Sequence, residues 1–205
     1  MSNRSYLYVR TQDGKSTGLC EYPYEASMTQ LIMVSSRVRK VKSCIWDAEV
    51  PLALEGDFDE GCKRLFDFYE RCLSQGAVTQ EKYDELCAQA HEALDKWAGK
   101  NATVQLETAE IFEMEDPEDY DFEESENDED GFEFLAFLLN DLYENIFKDF
   151  NAYLKDSIRQ LKTFKETGAS EAIDEALDVD WDEILFYSPD SNDDDDDDDD
   201  DDDEE

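Results

Sequence analysis

FEFLAFLLNDLYENIFKDFNAYLKDSIRQLKT, residues 132–163, is the stretch that decides how this chain reads. Leu135, Leu138, Leu142, Ile146, Phe150, Leu154, Ile158 and Leu161 recur every three or four residues, the spacing that places side chains on one face of an α-helix. Phe134, Phe137, Tyr143 and Phe147 widen that stripe beyond what a surface helix buries on one side. The spacing predicts one long central helix from about Phe132 to Thr163, covered on more than one side.

Shorter elements flank it. Cys62, Leu65, Phe66, Tyr69, Cys72 and Leu73 repeat at helical spacing after the acidic turn Asp57 to Glu60, which suits a helix N-terminus. Thr79 is the N-cap of a second helix that ends at Gly99, with Tyr83, Leu86, Ala90, Leu94 and Trp97 on one face. Residues 170–177 form a further short helix. Ser5-Tyr6-Leu7-Tyr8-Val9 is rich in aromatic and β-branched residues and precedes the turn pair Asp13-Gly14, so residues 4–10 read as a strand. Ser43-Cys44-Ile45-Trp46-Asp47 reads as another strand and Ile184-Leu185-Phe186-Tyr187 as a closing one, while Met28 to Ser36 fits helix or strand. The expected architecture is α+β: a small sheet from N- and C-terminal strands packed on about three helices, including the long central one.

Charge sets the class of partner. The 57 acidic and 18 basic side chains leave a net charge of −39. Binding nucleic acid directly requires Lys and Arg to replace condensed counterions, and an anionic membrane surface makes the same demand, so both are excluded as partners. The acid is unevenly spread: residues 1–50 hold 5 acids and 7 bases, residues 101–150 hold 18 and one, and residues 193–205 hold 13 and none. With 40% hydrophobic and 12% aromatic side chains, the chain is too apolar to be disordered throughout. Residues 1–189 are therefore read as a single acidic domain with an acidic, aromatic-containing loop at 113–133, and residues 190–205 as a disordered polyaspartate tail.

Chemistry-bearing motifs are sparse. Cys20, Cys44, Cys62, Cys72 and Cys87 match neither a disulfide framework nor paired zinc ligands and read as reduced, mostly buried thiols. The opening residues lack a signal-peptide apolar core and no run approaches a membrane span, which points to a cytoplasmic protein. His91, the one histidine, has no nucleophile patterned near it and reads as a helix-surface residue. Glu126-x-Asp128-x-Asp130-Gly131 imitates the start of a calcium loop, but Glu stands at its first position and Phe137 at its twelfth. No glycine-rich phosphate loop is present, so no catalytic residue, metal or cofactor is assigned. The basic cluster Arg37, Arg39, Lys40 and Lys42 reads as a counter-charge to the acidic loop.

Four elements carry a resemblance: the opening Asn3-Arg4-Ser5-Tyr6-Leu7-Tyr8, the tyrosine-containing segment and apolar stretch ending in serine from Tyr22 to Ser35, the Ser43-Cys44-Ile45-Trp46 element, and Gly56-Asp57-Phe58-Asp59-Glu60-Gly61 at a helix start. Over residues 3–73 the chain resembles a family of small uncharacterised bacterial proteins. The resemblance implies a bacterial cytosolic origin and carries over no functional residue.

The expected function is that of a non-enzymatic acidic protein that captures a basic partner protein, as an immunity protein or inhibitor does against a toxin built to hold phosphates. Tyr120, Phe122, Glu123, Glu124, Asp128 and Asp130 are the expected contacts, carboxylates for steering and aromatics for anchoring. The bland alternative for this loop is that its aromatics fold back onto the core. A DNA-mimic version would array carboxylates on a rigid element, for which Glu107, Glu110 and Glu113 are the candidates. Two other classes compete: a general acidic chaperone or solubiliser acting through its tail, and a metal-using carboxylate enzyme. The oligomeric state is left open.

Overall fold

The computed structural model describes residues 3–120, 122 and 131–187. Within them the chain is α+β, with seven α-helices and a six-stranded antiparallel sheet. The tail assigned to residues 190–205 lies outside the described residues.

Residues 4–10 form the expected strand, β1 (Arg4–Arg10), and past the Asp13-Gly14 turn it pairs in a hairpin with β2 (Ser16–Pro23), which the sequence reading did not include. Its turn is closed by Gly14 at φ 87°, a conformation that glycine adopts without steric cost, with Gly14 N–H donating to Thr11 O at 2.9 Å. The ambiguous stretch after it is a helix, α1 (Met28–Val34). A capping box decides that outcome: Ser27 Oγ accepts from Gln30 N at 3.2 Å and Gln30 Oε1 from Ser27 N at 2.9 Å.

The sheet is not made from the two ends of the chain alone. β3 (Arg39–Val41), β4 (Ala53–Asp57) and β5 (Thr103–Glu107) from the middle supply half of it, in the order β3-β4-β5-β1-β2-β6, where β6 is the two-residue strand Asp180–Trp181. These strands are short and interrupted by buried polar residues such as Glu55 and Gln105, which breaks the apolar run a strand is read from. The segment 43–47 is a turn rather than a strand, because Ser43 Oγ accepts from both Ile45 N (3.0 Å) and Trp46 N (2.8 Å) and curls the backbone. Residues 184–187 are likewise not a strand, since the chain leaves the sheet after Trp181.

One sheet face is apolar and helix-covered. Leu7, Val9, Leu54, Val104 and Leu106 point into a core shared with α1, α2 (Phe58–Ser74), α3 (Gln80–Leu94) and α6 (Phe150–Thr167). The motif Gly56 to Gly61 has a steric cause. A Cβ on Gly56 would lie 2.2 Å from Val34 O and one on Gly61 2.1 Å from Met33 O, so only glycine lets the end of α1 approach; Asp57 between them caps α2 by accepting from Glu60 N at 3.0 Å. On the other face lie Tyr6, Tyr8, Glu55, Gln105 and Glu107, covered by residues 43–52 and 185–187.

The predicted central helix is broken. It runs as α5 (Phe132–Leu142), a π-helical turn (Tyr143–Phe147) and α6, with Asp149 capping α6 by accepting from Ala152 N at 3.1 Å. α5 buries Phe134, Leu135, Leu138 and Leu139, and α6 buries Phe150, Leu154, Ser157, Ile158 and Leu161, but the π turn buries none of its residues. Leu139 of α5 shares one core with Phe150, Leu154, Ile158 and Leu161 of α6, and between them the apolar stripe is only half-buried, at Tyr143, Ile146 and Phe147 of the π turn. Two more short helices, α4 (Ala109–Phe112) and α7 (Ser170–Leu177), complete the fold.

Candidate functional site

Where the stripe surfaces, a groove of about 920 Å³ opens between the end of β2 and α1 on one side and the α5–α6 junction and α7 on the other. Its lining is mostly apolar and aromatic: Tyr22, Met28, Phe112, Ile146, Tyr153 and Phe164. Single π-helical turns within helices are frequent at functional sites, and here Ile146 of the π turn lines the groove. Among the described residues three carboxyl side chains line the groove, Glu25, Glu115 and Glu175, from three distant parts of the sequence, and no Lys, Arg or His does.

Tyr24 stands at the lip. Its φ of 66° is left-handed, a conformation that costs a non-glycine residue on the order of 1 kcal/mol, and the residue is 63% exposed. Its amide donates to Asn3 O at 2.8 Å, which ties the strained residue to the first strand. Burial pushes the Tyr153 hydroxyl up to about 12 and also raises Tyr22, so both remain phenols at neutral pH. Tyr22 donates to Glu175 O and so links the β2 and α7 walls of the groove.

The expected contacts fall partly beside this groove. Tyr120 and Phe122 fold back on α5: Phe122 lies 5.2 Å from Phe134 and 5.3 Å from Phe137, and Tyr120 5.8 Å from Phe134. They form a half-exposed aromatic patch rather than free anchors. Tyr120 Oη donates to Glu115 Oε2 at 2.7 Å, so one groove carboxylate is shared with the patch. Glu123, Glu124, Asp128 and Asp130 lie outside the described residues, as does most of the calcium-loop imitation.

The row Glu107, Glu110, Glu113 is not an anion array. Glu107 ends β5 and is 1% exposed, Glu110 is buried and accepts from Tyr6 Oη, and Glu113 caps α4. Glu107 Oε1 accepts from Cys44 N at 2.9 Å and Gln105 Nε2 at 2.7 Å, whereas its Oε2 is buried with no hydrogen-bond partner among the described residues. Desolvation raises its pKa, partly opposed by those hydrogen bonds. Gln105 in turn accepts from Arg10 Nη1 at 2.9 Å and donates to Lys42 O at 3.0 Å, which ties the segment after β3 to the polar sheet face.

The basic cluster neutralises carboxylates, but different ones from those expected. Arg39 pairs with Glu55, Arg37 with Asp57 at 3.5 Å and Lys42 with Glu49 at 2.9 Å, while Lys40 donates to Asn140 at 2.6 Å. His91 stacks on Phe66 at 4.4 Å, and its Nδ1 lies 3.0 Å from Asp95. Burial raises all five thiols, to about 12 for Cys62 and Cys72, which leaves them as thiols at neutral pH. Among the described residues no three His, Cys, Asp or Glu side chains are grouped to hold a metal ion, and no helix is long and apolar enough to cross a membrane.

Glu25, Glu115 and Glu175 were not legible as a set, because only the packing of α7 and α4 against the end of β2 brings them together. Their single hint was negative: neither Pro23-Tyr24-Glu25 nor the 170–177 helix contains a base.

No curated protein and no solved structure matches the chain. Residues 9–163 match the model of a family described as Domain of unknown function (DUF7822), a span that includes the π turn and most of α6 but neither α7 nor the segment after it. That match covers more than half of the 205 residues, and the chain belongs to the DUF7822 family.

Proposed function

We propose that this domain is a non-enzymatic binding protein that captures a basic partner protein through the groove, in the manner of an immunity protein or inhibitor. One observation carries the reading: an apolar, aromatic floor lined, among the described residues, by three glutamates and by no basic side chain. Dense carboxylates raise the rate of encounter with a cationic surface, and apolar side chains hold it once long-range charge is screened. The occupant that fits is an amphipathic helix with Lys or Arg flanking its apolar face. The Tyr120–Phe122 patch, joined through Glu115, extends the same acidic and aromatic surface.

The test uses a labelled amphipathic helix of lysine and leucine, titrated with the full chain by fluorescence anisotropy at physiological salt. Glu25→Lys with Glu175→Lys weakens binding by about tenfold or more, and Glu70→Lys with Glu81→Lys, the same change of charge on α2 and α3, has a much smaller effect. Equal losses in the two pairs would reduce the groove to part of a general polyanion. A general solubiliser working through residues 190–205 predicts that a chain ending at residue 189 no longer binds basic proteins; under capture, that chain associates more slowly and keeps its affinity within a few-fold.

A further inference from the structure

Tyr24 strains the lip of the groove without contributing to the core. Its left-handed backbone is one that glycine or asparagine holds more easily, and the bond from its amide to Asn3 O keeps it there. The residue is mostly exposed, and its side chain has neither a hydrogen bond nor an aromatic contact among the described residues. Its ring therefore does no work in folding, yet it lines the groove as an apolar plate with an electron-rich face. Strained residues of this kind gather at binding sites, where a ligand and not the core uses the side chain.

The ring shares its part of the groove with carboxylates that nothing neutralises. Glu25 and Glu175 line the same groove, and neither has a basic partner among the described residues. Burial raises the Tyr22 phenol, and the Glu25 and Glu175 carboxylates raise it further, so both stand within electrostatic reach of one hydroxyl. Glu115, the third groove carboxylate, is instead engaged by Tyr120 Oη at 2.7 Å. A cation that uses both features must lie flat on a ring and reach a carboxylate from the same position. The lysine ammonium is a compact, strongly hydrated point charge. The arginine guanidinium is planar and less hydrated; it stacks on aromatic faces and forms paired N–H···O bonds with a carboxylate.

We infer that Tyr24 makes the groove selective for arginine: an arginine flanking the apolar face of the partner's helix stacks on the Tyr24 ring and donates to Glu25 or Glu175. The inference rests on the reading of the groove as the site of a basic helix, and it names the side chain that this site selects. A lysine in the same place meets the charge alone, so a lysine-flanked helix binds the groove more weakly.

The probes are two labelled amphipathic helices with the same leucine face, one flanked by arginine and the other by lysine, titrated with the full chain at physiological salt. The arginine helix binds about fivefold more tightly than the lysine helix. Tyr24→Leu, which keeps apolar bulk but has no π face, brings the two affinities within about twofold by weakening the arginine helix alone, whereas Tyr24→Phe keeps the preference. Both variants keep the fold, because the exposed ring makes no contact that folding uses. The acidic tail is common to every variant, so any preference it adds cancels in the comparison. Equal binding of the two helices to the parent chain would overturn the inference and leave the groove as a site for any basic helix; so would an arginine preference that survives Tyr24→Leu. Binding of neither helix would overturn the groove reading and this inference together.

Discussion

The two faces of the sheet solve opposite problems. The face carrying Leu7, Val9, Leu54, Val104 and Leu106 buries aliphatic side chains under helices, where stability comes from area removed from water and close packing. The other face buries Tyr6, Tyr8, Gln105 and Glu107 under two loop segments, where each polar atom must find a partner or cost free energy. The first face tolerates no change of volume, and the second tolerates no change of hydrogen bonding.

The comparison breaks most visibly on the apolar face. Leu106→Ala leaves a cavity under the helices and lowers unfolding free energy by about 2–5 kcal/mol in urea titration. A loss below about 1 kcal/mol would mean that the face is loosely packed. Gly61→Ala comes next, at about 3 kcal/mol, because its methyl meets the Met33 carbonyl 2.1 Å away and backbone cannot step aside. Gly18→Ala sharpens the contrast. Its methyl meets mainly the Leu185 side chain, and the segment it displaces is held by few bonds, so the loss is about 1 kcal/mol with faster hydrogen exchange over residues 183–187.

Tyr8→Phe removes the donor to Tyr187 O and costs about 1 kcal/mol, read most clearly as the same local gain in exchange rate. The subtlest effect is in pH. Burial raises the Glu107 pKa above its unfolded value, so its contribution is complete in acid, below the ordinary carboxyl range, and is lost as pH rises through the folded value. Glu107→Gln keeps the shape without the titration. Its stability relative to the parent chain therefore climbs from acid to alkaline pH, and a difference that stays flat would show that the site does not raise the Glu107 pKa.

Local chemistry was legible where short-range signals act alone. Residues 4–10 form a strand and 170–177 a helix as read, and the caps at Asp57 and Thr79 hold their helices by accepting from Glu60 and Lys82 amides. The Gly56 to Gly61 motif was visible, but its reason was not, since the clash it avoids is with the carbonyls of a different helix. β4 and β5 escaped because Glu55, Gln105 and Glu107 look like surface residues until a second layer covers them. The acid was legible as charge; the groove was not, because it joins side chains more than a hundred residues apart.

By itself the amino-acid sequence determined the balance of charge, a net −39, and that there are enough apolar residues to fold a core. It also determined the helix and hairpin termini, which depend on a cap or a glycine a few residues away. Only the tertiary structure decided that the apolar run of residues 132–163 would divide at a π turn, which carboxylates would face a groove and which would be buried, and where the sheet would stop being paired. The reason is range. Periodicity and capping are set by neighbours within a turn, whereas burial, edge exposure and the meeting of Glu25, Glu115 and Glu175 depend on which layers pack together.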